Sequence, residues 1–145
     1  MAPLTADFTW IAGHPLAYPL LEVLHIFGIA ALVGNLLLFE LRVWGLGARL
    51  PLAPLAQLSL GVALAGFSLV AASGLLMFAS QPAELIANRA FLVKMGLVAT
   101  AGTNAALFHA RGGVARLDRV ARAQTALSLG LWIAVMICGR WIAYL

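Results

Sequence analysis

Cysteine and charge are what this chain has least of. A single cysteine, Cys138, stands among 145 residues. It lies within an apolar run, so one copy can build neither a disulfide framework nor a multi-cysteine metal site, and it reads as a small buried hydrophobe. Only 10% of the residues are charged, five acidic and nine basic, against 63% hydrophobic. With a mean hydropathy of +1.01, this excludes an ordinary soluble domain and indicates an integral membrane protein. So few acids leave no paired-carboxylate catalytic site. Also missing are a glycine-rich phosphate loop, zinc-ligand spacing, an H-E-x-x-H helix and a nucleophile elbow. The net charge of +4 does not imply nucleic acid, because the arginines sit between apolar spans and act as topology signals.

What is present is four apolar stretches. Met1 to His14 has no basic leader and carries Asp7, so it does not read as a cleavable signal. Leu4, Phe8 and Ile11, with Trp10 beside them, predict a short helix on the membrane surface. Spans follow at roughly 18–44, 55–79, 90–110 and 123–144, each near the ~20 residues that cross a bilayer. The Gly45 to Pro54 turn joins the first two, a short amphipathic connector over Pro82 to Arg89 joins the second and third, and a basic loop from Arg111 to Arg122 joins the last two. Short loops force antiparallel neighbours, so the expected fold is a single all-α domain, an up-down-up-down four-helix bundle with a short N-terminal interfacial helix. Small residues at four-residue spacing (Ala30 and Gly34, Gly61 and Ala65, Gly96 and Thr100, Gly130 and Ala134) are expected to form packing faces. They also suit a homo-oligomer. Arg42, Arg49, Arg111, Arg116, Arg119 and Arg122 share one side, and Arg89, Lys94 and Arg140 the other. The positive-inside rule then places both termini outside, in a bacterial inner membrane.

The polar residues inside the spans carry the functional signal. Folding four antiparallel helices brings Glu22 and His25 of the first span to the same depth as Ser73 and Met77 of the second, Lys94 and Met95 of the third, and Arg140 of the fourth. Charges at such depth rarely face lipid. Three readings compete. His25 ligates a b-type haem, with Lys94 and Arg140 neutralising its propionates; His25 with Met77 or Met95 binds copper as a carrier or permease; or Glu22 pairs with Lys94 or Arg140 in a structural subunit, His25 hydrogen-bonded beside them. His109 is a second candidate ligand, but not for the same iron: it sits ~18 Å deeper than His25 at 1.5 Å per residue. Glu40, Arg42 and Trp44 read as a charged and aromatic border, His14 as an exposed interfacial residue, and Trp132 as mid-span packing.

Tyr18-Pro19-Leu20-Leu21-Glu22-Val23-Leu24-His25-Ile26, Gly34 and Glu40-Leu41-Arg42 resemble a family of bacterial four-span inner-membrane proteins, as do Phe91-Leu92-Val93-Lys94, Asn104, Phe108-His109 and Gly139-Arg140-Trp141. More distantly, the chain is similar to the small four-helix protoporphyrinogen IX oxidases and to the copper-resistance D membrane proteins. The oxidase likeness rests on His25, Arg42, Lys94 and Ser73-Gly74-Leu75, and implies haem b held through His25. The expected role is electron transfer or haem-dependent oxidoreduction with a quinone or other redox partner.

Overall fold

A long apolar segment in hydrocarbon has no water to bond its backbone, so it satisfies its amides by coiling into a helix. The computed structural model describes residues 7–145 and contains four helices long and apolar enough to cross a membrane. The chain is an all-α, multi-pass membrane protein. One short turn, α1 (Trp10–Gly13), precedes α2 (Ala17–Val43) and α3 (Leu52–Ser80); α4 (Pro82–Ala87) connects to α5 (Arg89–Ala110), and α6 (Arg119–Trp141) ends the bundle. Leu4 of the expected surface helix lies outside the described residues. The turn that is described does not simply lie on a surface: Ile11 is buried, and α1 packs on α2 and α3, while Trp10 stays exposed.

Local chemistry sets where the helices begin. Pro82 opens α4, where its missing N–H would have had no helical partner. The side chain of Asn88 accepts from the backbone N–H groups of Ala90 and Phe91 at the start of α5, and Asp118 accepts from Ala121 at the start of α6. At the arginine-rich end, Gly45 and Gly112 take φ of 107° and 112°, a region open to glycine at little cost. Arg42 then donates to the carbonyls of Leu50 (2.8 Å) and Ala48 (3.4 Å), clasping the first loop.

The helices associate chiefly as two hairpins, α2 on α3 and α5 on α6, joined through α2 and α6. The closest approach is between α2 and α3. A Cβ on Gly66 would lie 2.8 Å from both the Gly28 carbonyl and the Leu32 amide, and one on Gly28 would lie 2.9 Å from the Gly66 carbonyl. The expected small-residue faces lie elsewhere: Gly34, Gly61, Gly96 and Gly130 would each meet nothing within 4 Å. Within the chain they are not packing positions, because Gly28 and Gly66, outside that pattern, occupy the crossing. The largest buried cluster is at the arginine-rich end, where Phe39, Val43, Ala56, Phe108 and Ala121 meet. Trp132 packs mid-span, edge-on to Phe67 at 6.3 Å between centroids. At the end bearing the termini, Gln81 donates to the Tyr18 hydroxyl (2.7 Å) and Asn88 to the Ile142 carbonyl (3.0 Å).

Two predictions follow from this packing. Gly66→Ala should lower unfolding stability in mild detergent by about 1–3 kcal/mol through overpacking, while Gly34→Ala, with open space at that site, should leave it unchanged or raise it by up to about 1 kcal/mol; thermal unfolding of the two variants side by side checks this. Asp118 bonds the Ala121 amide and the Arg111 guanidinium (2.8 Å), which hold its carboxyl below its ordinary value of 3.8. Its contribution is therefore complete above that value and lost as pH falls through the lower folded one. Wild type should lose thermal stability on acidification below about pH 4 more steeply than Asp118→Asn.

Candidate functional site

Two polar sites occupy opposite ends of α2. The first is built on His25, half-buried between α2 and α3. Its Nδ1 lies 2.9 Å from Ser73 Oγ, and a Cβ on the next residue, Gly74, would sit 3.2 Å from its Cε1. The close crossing at Gly28 and Gly66 brings the ring this near to α3. Ser73 is 2% exposed, and its one hydroxyl proton goes to the Leu69 carbonyl at 2.7 Å. Ser73 Oγ therefore accepts, and His25 Nδ1 donates. Fixing the proton on Nδ1 leaves Nε2 with its lone pair, the form in which an imidazole binds a metal.

Of the charged residues expected around His25, Lys94 is half-buried and close enough for its charge to act on the ring. Its Nζ lies against Gly139 on α6, 3.5 Å from where a Cβ would be. Among the described residues the ion pairs are Arg111–Asp118 and Arg116–Asp118, so Lys94 has no carboxylate partner. The structural pair of Glu22 with Lys94 or Arg140 does not form. Glu22 is exposed on the first turns of α2. Arg140 turns to Tyr144, donating to its hydroxyl at 2.6 Å, with the guanidinium carbon 5.0 Å from the ring centre. Met77 lies one turn beyond Ser73 on α3, and Met95 is exposed. His14 Nδ1 accepts from the amides of Leu16 and Ala17 (3.2 and 3.1 Å), so it helps to cap the start of α2. His109 is not brought to His25. It is an exposed residue at the arginine-rich end, its ring edge-on to Phe108. Among the described residues, no three His, Cys, Asp or Glu side chains gather as a metal site.

The second site was not legible in the sequence. Glu40, expected at a charged border, is 1% exposed, and its Oε2 has no hydrogen-bond partner. It borders a cavity of about 50 Å³ shared with Asn104, His109, Gln124, Thr125 and Ser128. Glu40 is followed two residues later by Arg42, which suggests an exposed ion-rich rim. Helical geometry decides otherwise, since Arg42 reaches back to the loop while Glu40, alongside buried Phe39, turns inward. At 3.6 residues per turn it stands about 120° round the helix from Gly28, so its spacing from the crossing gave no signal that it turns inward.

Among known protein families, curated proteins and solved structures, none matches this chain.

Proposed function

We propose that the protein binds b-type haem through His25 and serves electron transfer or haem-dependent oxidoreduction in a bacterial inner membrane, with both termini outside and a quinone or other redox partner. The observation that supports this reading is the His25–Ser73–Leu69 hydrogen-bond chain, which with the proton on Nδ1 would leave Nε2 to act as a ligand. Two further features support it. A porphyrin supplies four equatorial nitrogens and asks the protein only for axial ligands, which suits a lone imidazole without a cluster of other metal-binding side chains. Lys94, half-buried and without a carboxylate partner, offers a counter-charge for an anionic tail. The donor set fits the group with His25 as axial ligand and Lys94 as propionate partner; Arg140, held by Tyr144, and Glu22, a carboxylate, fit that role less well. The iron, when bound, supplies one-electron redox chemistry. His25 would hold it as an axial ligand, and Ser73, 2.9 Å from Nδ1, would orient the imidazole.

A copper carrier is the second reading. It is favoured by Met77, whose thioether is one helical turn from Ser73 on α3.

A reduced-minus-oxidised spectrum of the protein purified in mild detergent, with metal analysis of the same sample, separates these. The haem reading expects Soret and α bands that disappear in His25→Ala. It fails if the wild type shows no such bands, or if they persist unchanged in that variant; copper without haem favours the second reading. Ser73→Ala should retain the pigment but weaken its binding about 10–100-fold, as loss of a ligand-orienting hydrogen bond does, measured by haem titration.

A further inference from the structure

Glu40 is an acid buried within a membrane-spanning helix, and no basic side chain neutralises it. The charged groups around it are all engaged elsewhere or exposed. Arg42, on its own helix, bonds the Leu50 and Ala48 carbonyls. Arg111 of α5 pairs with Asp118. His109 of α5 borders the cavity from an exposed position. From α3 the cavity receives Leu60, and from α6 only the uncharged Gln124, Thr125 and Ser128. An unpaired charge in this setting is costly, and it is relieved either by a proton on the carboxyl or by a bound counter-ion.

The polar lining identifies the sign of what is missing. Asn104 spends an amide N–H on the Gln124 carbonyl at 2.9 Å, leaving its Oδ1 as an acceptor. Thr125 gives its proton to the Arg122 carbonyl (2.7 Å) and receives one from Trp44 Nε1 (2.8 Å). Gln124 Oε1 is approached only distantly, at 3.4 Å, by Arg111. Ser128 of α6 lines the cavity with Glu40. The lining offers the oxygens of Asn104, Gln124, Thr125 and Ser128 as well as amide N–H groups, while the Oε2 of Glu40 receives no donor, so it is the carboxylate that sets the sign of what would bind. About 50 Å³ exceeds the ~10–15 Å³ that one water-sized occupant needs, and is far too small for an organic ligand. One carboxylate among neutral oxygens balances one positive charge; a divalent ion would leave an excess charge in the bilayer.

We infer that Glu40, with Ser128 and the oxygens of Asn104, Gln124 and Thr125, forms a binding site for one small monovalent cation, sodium or a proton. The site is independent of the haem reading, lying ~22 Å along α2 from His25 at 1.5 Å per residue.

Equilibrium dialysis of the full chain in mild detergent against radioactive sodium tests the first source. About one ion per chain should bind, be displaced on acidification, and resist choline. Glu40→Gln should abolish binding, and Ser128→Ala should weaken it roughly tenfold, equivalent to about 1.4 kcal/mol. Infrared spectroscopy tests the second source: a protonated-carboxyl band at neutral pH in sodium-free wild type, lost in Glu40→Gln. Either signal, with that dependence on Glu40, supports the site. Neither signal in wild type overturns it, as does sodium binding that survives Glu40→Gln unchanged. Should Glu40→Gln fail to fold, the wild-type measurements and the Ser128→Ala shift still decide, and sodium binding unaffected in Ser128→Ala counts against the site.

Discussion

The backbone-to-backbone approach of α2 and α3 at Gly28 and Gly66 fixes the register on which the rest depends. With no side chain at either position, the Gly28 carbonyl and the Gly66 backbone lie close enough that even a methyl group would collide. Hydrophobic burial does not drive helices together in lipid, because lipid tails are as apolar as leucine. Close packing and interhelical polar contacts must do so instead. The glycine crossing supplies the first and permits the second. One turn toward the termini it sets His25 against Ser73 and Gly74, a pairing that helices separated by larger side chains would hold further apart.

The same register carries Glu40 inward at the other end of α2. There the order is provided by α5 and α6 as well. Trp44 donates to Thr125, Asn104 to the Gln124 carbonyl, and Arg111 to Asp118 at the start of α6. The aromatic contact of Phe39 with Phe108, 6.1 Å between centroids, closes the cluster on its apolar side. The two ends of the bundle therefore differ in kind. One is closed by side-chain packing and an interhelical network around a small cavity. The other is held by a few terminal bonds, from Gln81 to Tyr18 and from Asn88 to Ile142.

The length and apolarity of the spans made the four helices legible, because in a bilayer the hydrocarbon thickness sets helix length directly. Boundaries differed by a few residues where caps decided them: Asp118, which starts α6 four residues ahead of the expected span, is the clearest case. Depth was legible too, so His25, Ser73 and Lys94 could be placed in one layer from residue counting alone. Rotation about each helix axis was not. Arg140 shares the depth of Lys94 but turns to Tyr144, and Glu22 shares that of His25 but is exposed. Both failures have the same cause: a span apolar on every side carries no amphipathic stripe to say which face is inward. The glycine pattern misled for a related reason. Small residues permit close approach wherever they fall, and only the three-dimensional crossing selects Gly28 and Gly66 from among them.

Lys94 and Glu40 then stand as a pair of unmatched charges on opposite ends of the bundle. Lys94 is five residues into α5 and Glu40 twenty-three into α2, counted from the helix starts in the structure, and these helices run parallel, so their levels differ by ~27 Å. Over that distance they cannot neutralise each other, and Asp118, the acid that does form ion pairs, is committed to Arg111 and Arg116. Neither group has a partner of opposite sign among the described residues, so each is either held neutral or balanced from outside the chain, and the outside charge that would suit each has opposite sign. Replacing both by apolar residues would relieve the electrostatic cost without disturbing the glycine crossing, since neither takes part in it. That two ionisable groups without partners are nonetheless built into the spans is what motivates testing each end for a ligand, since ionisable residues at such depth are rarely placed there for packing alone.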